Sequence, residues 1–71
     1  ELKPVKVIEK NFIYRLENVE EIVFAEGTER IEAYAVEKCR NLRTVYVPAS
    51  VTYMDKEAIY DCGDKVEIIR K

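Results

Sequence analysis

Apolar positions recur along this chain with a period of 23 residues. Cys39 and Cys62 are separated by that distance, and the same offset places Val45 on both Ile22 and Ile68. A fixed internal period of this length is typical of repeat proteins. It divides the chain into three copies, at about residues 2–24, 25–47 and 48–70.

One half of each copy has the pattern of a short β-strand. Residues 42–47 read LRTVYV and residues 19–24 read VEEIVF, so both have apolar residues in the arrangement L-x-x-L-x-L. Side chains alternate between the two faces of a strand, so Val45 and Val47 point inward and Tyr46 points outward. Each copy is therefore predicted to contribute one strand to a parallel sheet.

The other half of each copy has apolar residues at i, i+4, i+5 and i+8, which predicts a short amphipathic helix. Gly63 is predicted to end the third helix in the left-handed conformation. Ahead of the helices, β-branched and aromatic residues at 5–8 and 51–54 predict a second, shorter strand. The helical stripes are Ile8, Phe12, Ile13 and Leu16, then Ile31, Ala35, Val36 and Cys39, then Met54, Ala58, Ile59 and Cys62.

A unit of this size cannot bury its apolar stripe alone, whereas stacked copies share one core. The sequence thus predicts an α/β repeat fold, a solenoid of about three coils with parallel strands on one face and short helices on the other. Residues 48–62, PASVTYMDKEAIYDC, together with the intervening strand pattern, resemble the BspA-like leucine-rich repeats of bacterial surface proteins. The resemblance covers essentially the whole chain. It departs at Val36 and Ile59, where the family usually has an aromatic residue.

The resemblance implies a non-catalytic protein-interaction or adhesion module, extracellular or on the cell surface, whose partner is a protein of a host or neighbouring cell. Two alternatives are a structural spacer or accessory domain without its own ligand, and a carbohydrate-binding module that uses some of the five tyrosines. Residues 1–71 are expected to form a single leucine-rich repeat domain cut from a longer protein. Tandem repeats or a homo-oligomer would then supply the missing neighbours.

The outward residues of the strands form a candidate partner-binding surface. Val23, Tyr46 and Ile69 share one position in the three copies and give an apolar and aromatic row, while Glu21, Arg43 and Glu67 give a charged rim. Aromatic residues and arginine are enriched at interface hot spots. The alternative is that β-branched and aromatic residues simply suit strands. The remaining tyrosines are expected to shelter the flank of the core, and they are Tyr14, Tyr34, Tyr53 and Tyr60.

Charge and composition narrow the function further. The 12 basic and 14 acidic residues give a net charge of −2 without a basic stripe, so a nucleic acid partner is not expected. Membrane insertion is not expected either, because the apolar runs are far shorter than the ~20 residues of a membrane span. The sequence has no histidine. Catalytic triads and zinc sites commonly depend on histidine, so we expect no enzyme activity, no metal site and no cofactor.

Two cysteines and one serine are the remaining candidates for chemistry. Cys39 and Cys62 share a position with Leu16, which favours a role as small apolar packing residues. A disulfide between them is sterically conceivable, since neighbouring strands lie ~4.8 Å apart. Ser50 lies in a Pro-Ala-Ser turn, where its simpler role is to form the corner.

Overall fold

The computed structural model describes residues 6–63 and 65–70, which form nine short strands and no helix. The remaining residues, among them Val5 of the predicted first short strand and the two chain ends, lie outside the described residues. The strands are β1 (Val7–Ile8), β2 (Ile13–Tyr14), β3 (Glu21–Val23), β4 (Arg30–Ile31), β5 (Val36–Glu37), β6 (Thr44–Val47), β7 (Tyr53–Met54), β8 (Ile59–Tyr60) and β9 (Glu67–Arg70).

The strands pair into three parallel sheets that run along the stack of coils. The first sheet has the order β1-β4-β7, the second β2-β5-β8 and the third β3-β6-β9. In each sheet a residue pairs with the one 23 positions later, as Ile22 does with Val45 and Val45 with Ile68. This confirms the solenoid and its register. It also confirms a short strand at residues 7–8 and at residues 53–54, ahead of the predicted helices.

The predicted helices are wrong for the described residues, because the backbone groups in those segments bond between coils. The amide of Ile13 donates to the carbonyl of Ala35 at 2.9 Å, and the amide of Val36 donates to the carbonyl of Ala58 at 2.9 Å. An α-helix would instead bond each amide to the carbonyl four residues earlier. The segments that carry the i, i+4, i+5, i+8 pattern are therefore two short strands separated by a tight corner.

Left-handed backbone at the corners turns the chain from one strand to the next. Among the described residues, five that are not glycine have this conformation, and they recur with the 23-residue period of the strands. They are Asn11 and Tyr34 (φ 59° and 58°), and Arg15, Lys38 and Asp61 (φ 57°, 60° and 54°). None of them is β-branched. Gly27 also has a positive φ, of 99°. Gly63 does not, so its predicted helix-ending role is wrong. Close packing favours glycine at this position instead, because a Cβ atom there would lie 3.0 Å from the carbonyl oxygens of both Arg40 and Leu42.

The core lies inside the stack and is most complete in the middle coil. The side chains of Ile31, Ala35, Val36, Cys39, Val45 and Val47 are fully buried there. In the first coil the equivalents of Ala35 and Cys39 are Phe12 and Leu16, which are 52% and 48% exposed. The described residues place no further coil over them. At these two positions the first coil therefore lacks the cover that a second neighbouring coil would provide.

Candidate functional site

The outer face of the third sheet brings together the three residues of the predicted anchor row. Val23 pairs with Tyr46, and Tyr46 pairs with Ile69, so the three side chains follow one another across β3, β6 and β9. Val23 is 71% exposed, whereas Tyr46 and Ile69 are half-buried. The inward residues Ile22 and Val45 are buried, which confirms the predicted alternation in β3 and β6. In β9 the inward Ile68 is 41% exposed and the outward Ile69 is less exposed than Ile68.

Charged side chains flank this row, as the sequence predicts for the rim. Glu21 and Glu67 lie on either side of Thr44 in the neighbouring row of the same sheet. Arg43 precedes Thr44, and its backbone carbonyl accepts the amide of Glu67 at 2.8 Å. All three charged residues are exposed. The face therefore combines an apolar row with acidic and basic groups that water still reaches.

The row opens at one end into a shallow depression of about 250 Å³. Val23 and Tyr46 line it together with residues at the end of the two strands and just after them. The lining is mostly apolar and consists of Val23, Phe24, Ala25, Glu26, Tyr46, Val47 and Pro48. A protruding apolar group of a partner would find a concave contact here rather than a flat one.

The second sheet carries a tyrosine cluster whose members were predicted only to shelter the flank of the core. Tyr14 pairs with Glu37, and Glu37 pairs with Tyr60, so these residues form one row across all three coils. Tyr14 and Tyr60 are 43% and 45% exposed. Tyr34 lies beside the row, and its ring meets that of Tyr60 edge to face at a centroid distance of 5.0 Å and an angle of 80°.

The ring of Tyr34 is held in place by its hydroxyl, which donates a hydrogen bond to Glu57 Oε2 at 3.1 Å. That hydrogen bond and the negative charge of Glu57 raise the pKa of Tyr34. On the open side the Nζ of Lys10 lies 5.9 Å from the centroid of the same ring. An open depression of about 280 Å³ lies at the cluster. Its lining consists of Lys10, Asn11, Tyr14, Tyr34, Glu37 and Tyr60.

A signal for this cluster was present in the sequence. Tyr14 and Tyr60 occupy the same position two periods apart. The cluster was not predicted, because these residues were assigned to helices, in which they would not pair with Glu37. Only the strand geometry places all three on one outer face.

The two cysteines are free thiols in the stack. Cys39 is fully buried and its thiol lies 3.8 Å from the carbonyl oxygen of Glu37, while the thiol of half-buried Cys62 lies 3.5 Å from that of Tyr60. Burial raises the pKa of Cys62, which keeps it protonated at neutral pH. Both residues act as packing groups, as the sequence favours, rather than as a disulfide.

Residues 6–63 and 65–70 contain no group of three or more cysteine, aspartate or glutamate side chains placed to hold a metal ion. Over the same ranges no helix has the length and hydrophobicity needed to span a membrane.

Comparison with protein families matches residues 3–69 to the BspA type leucine rich repeat region (6 copies). The match covers nearly the whole chain, and the copy number belongs to the family description, since the described residues form three coils. Leucine-rich repeats of this kind generally mediate protein interactions. No curated protein and no solved structure matches the chain significantly.

Proposed function

Because this chain belongs to the BspA type leucine-rich repeat family, we propose that it is a non-catalytic module that binds a protein partner through the outer face of its third sheet. The proposed contact surface has the apolar row Val23, Tyr46 and Ile69 at its centre. Glu21, Arg43 and Glu67 form its rim.

The observation that carries this proposal is the alignment of Val23, Tyr46 and Ile69 in one register across three coils. Solvent normally favours polar residues on the outer face of a strand, yet this row is apolar from end to end. Val23 alone is 71% exposed to water. Contiguous apolar surface of this kind, rimmed by polar residues, marks interaction sites on soluble proteins.

The shape and charge of the face support binding of a protein rather than of a small ligand. The row follows the stacking direction, so it offers an extended contact, and repeat proteins use such extended faces for recognition. Tyr46 lies at its centre, where a large, rigid side chain contributes contact area at a low cost in conformational entropy. The exposed charges of Glu21, Arg43 and Glu67 would select partners by complementarity and accelerate encounter.

The absence of enzyme activity is part of the same proposal. The sequence has no histidine and a single serine. Ser50 is half-buried, and its hydroxyl bonds to backbone groups of the preceding coil rather than to a side chain that could activate it as a nucleophile.

We further place the protein at the cell surface or outside the cell, as an adhesion module. BspA type repeats are typically surface-associated. The free thiols do not conflict with that location, since one is fully buried and the other has a raised pKa.

The experiment is binding of the purified chain to an array of extracellular-matrix and plasma proteins, run beside the variants Val23→Glu and Tyr46→Glu. Val23→Glu places a charge in the row at an exposed site, so it should leave the fold intact. Tyr53→Glu is the matched control, because Tyr53 is an exposed tyrosine of the first sheet. Circular dichroism verifies that every variant is folded.

We expect a partner that both row variants lose and the control retains. Retention of the partner by Val23→Glu and Tyr46→Glu would move the binding surface elsewhere on the module. A folded chain that captures no protein at all would favour the spacer function.

A further inference from the structure

We propose that the tyrosine cluster on the second sheet, formed by Tyr14, Tyr34 and Tyr60 around Glu37, binds a neutral saccharide. This site lies on a different sheet from the proposed protein-binding row. It is therefore tested independently of that row.

The spacing of the outer row suits one sugar ring between two aromatic rings. Tyr14 and Tyr60 are the outer members of the row and Glu37 lies between them. Two strand spacings separate their backbones by about 9.6 Å. Carbon atoms pack at about 3.5–4.0 Å, so a ring held between two aromatic faces needs roughly 7–8 Å. The side chain of Glu37 is shorter than the two tyrosines, and it lines the depression together with them.

The aromatic platform is organised before any ligand arrives. The hydroxyl of Tyr34 is bonded to Glu57 at 3.1 Å, and its ring is fixed edge to face against Tyr60 at 5.0 Å. Tyr34 lies at one of the left-handed corners that recur along the stack, with φ 58°. Little side-chain entropy of Tyr34 would be lost when a ligand packs against its ring.

The polar groups around the rings offer both donors and acceptors. The ammonium of Lys10 donates, the carboxylate of Glu37 accepts, and the amide of Asn11 does both. Saccharide hydroxyls need both kinds of partner, while the C–H faces of the sugar need apolar surface. The lining also carries one positive and one negative charge, which suits an uncharged ligand.

A cationic ligand is disfavoured by two basic residues that already lie against the rings. The Nζ of Lys10 is 5.9 Å from the centroid of Tyr34, and the guanidinium carbon of Arg15 is 5.6 Å from that of Tyr14. Both distances are within the range of a cation–π interaction. A partner's lysine or arginine would have to displace these side chains against charge repulsion.

The test measures binding of neutral oligosaccharides to the folded chain by ligand-observed saturation-transfer NMR. The probes are cellohexaose, maltohexaose and chitohexaose, at concentrations up to about 10 mM because an open site with few polar contacts binds weakly. The variants are Tyr14→Ala and Tyr60→Ala, both at exposed positions. Tyr53→Ala on the first sheet is the matched control, and Tyr46→Glu tests independence from the protein-binding row.

At least one probe should bind, and each cluster variant should weaken it by about tenfold or more. Tyr53→Ala and Tyr46→Glu should bind as the unmodified chain does. Two results would overturn the proposal: no binding of any probe to the folded chain, or equal binding after loss of Tyr14 and of Tyr60. A third would do the same, namely a short arginine peptide that binds in place of the sugars and is lost in the cluster variants.

Discussion

The side-chain hydroxyl of Ser50 donates a hydrogen bond to the backbone carbonyl of Thr28, 2.7 Å away in the preceding coil. The same oxygen accepts the amide of Gly27 at 3.0 Å. Gly27 has φ 99° and lies in the turn between β3 and β4. One serine thus satisfies two backbone groups at a corner that belongs to no sheet.

Replacing Ser50 with alanine should therefore destabilise the stack. The amide of Gly27 and the carbonyl of Thr28 would lose their partner in a partly buried place, which costs about 1–3 kcal/mol of unfolding free energy. Urea unfolding followed by circular dichroism measures the change. Thr52→Ala is the control, because its hydroxyl is exposed and its bond to Glu29 is long at 3.4 Å. A loss no larger than in the control would show that Ser50 is dispensable.

Burial should decide the effect of an introduced charge. Ile31→Asp places a carboxylate at a fully buried position of the middle coil, and an unpaired buried charge costs several kcal/mol or more, enough to unfold a domain of this size. Val23→Asp adds the same carboxylate to an exposed strand position. Circular dichroism should show loss of structure in the first variant and a folded spectrum in the second. Unfolding by Val23→Asp would mean that the inner and outer faces of the third sheet are assigned wrongly.

Protonation of Asp55 should lower the stability of the protein in acid. Its carboxylate accepts the amide of Glu57 at 2.8 Å and the hydroxyl of Tyr53 at 2.9 Å, and these bonds hold its pKa below the usual 3.8. A group whose pKa is lowered on folding stabilises the folded state above its unfolded pKa and loses that contribution as the pH falls through the folded value.

The comparison that isolates this effect is unfolding at about pH 7 and about pH 3 for the unmodified chain and for Asp55→Asn. The unmodified chain should lose more stability on acidification than the variant does, since the variant has no carboxylate at this position. Tyr53→Phe should raise the pKa of Asp55, as read by NMR titration, because it removes one of the two hydrogen bonds. Identical acid dependence in the chain and in Asp55→Asn would exclude a contribution from this group.

The two thiols should differ in reactivity. Cys39 is fully buried and should react with iodoacetamide only when the stack opens, while half-buried Cys62 should react first. The raised pKa of Cys62 should still make it slower than an unhindered cysteine, because the thiolate is the reactive form. Mass spectrometry over time distinguishes the sites, and Cys62→Ser serves as the control. Equal rates at both cysteines would contradict the difference in burial.

The sequence alone was sufficient to predict the repeat, the parallel strands of the third sheet and the direction of the side chains in β3 and β6. These features depend on a long period and on strict alternation, as in Val45, Tyr46 and Val47. Both patterns can be recognised in a single sequence. The packing role of the cysteines was also readable, because Leu16 fills the same slot in the first coil.

The three-sided path of each coil could not be read in the same way. Two-residue strands such as β5 are too short to show alternation, and a corner between β4 and β5 spaces Ile31 and Val36 as a helix would. At the corners the backbone of Tyr34 and Lys38 is left-handed, and neither position has a glycine that would predict a turn. The tyrosine cluster was missed for this reason, since only the correct backbone places Tyr14 and Tyr60 on either side of Glu37.

The hydrogen bonds that replace the predicted helices also determine how the molecule responds to force. The bonds of all three sheets join one coil to the next, so they run along the stacking axis, and a pull along that axis would load them in line rather than in shear. The bonds between two neighbouring coils would then open together, and the next pair would follow. Under tension the coils should separate one after another at low force, so the length of the protein should increase in discrete steps.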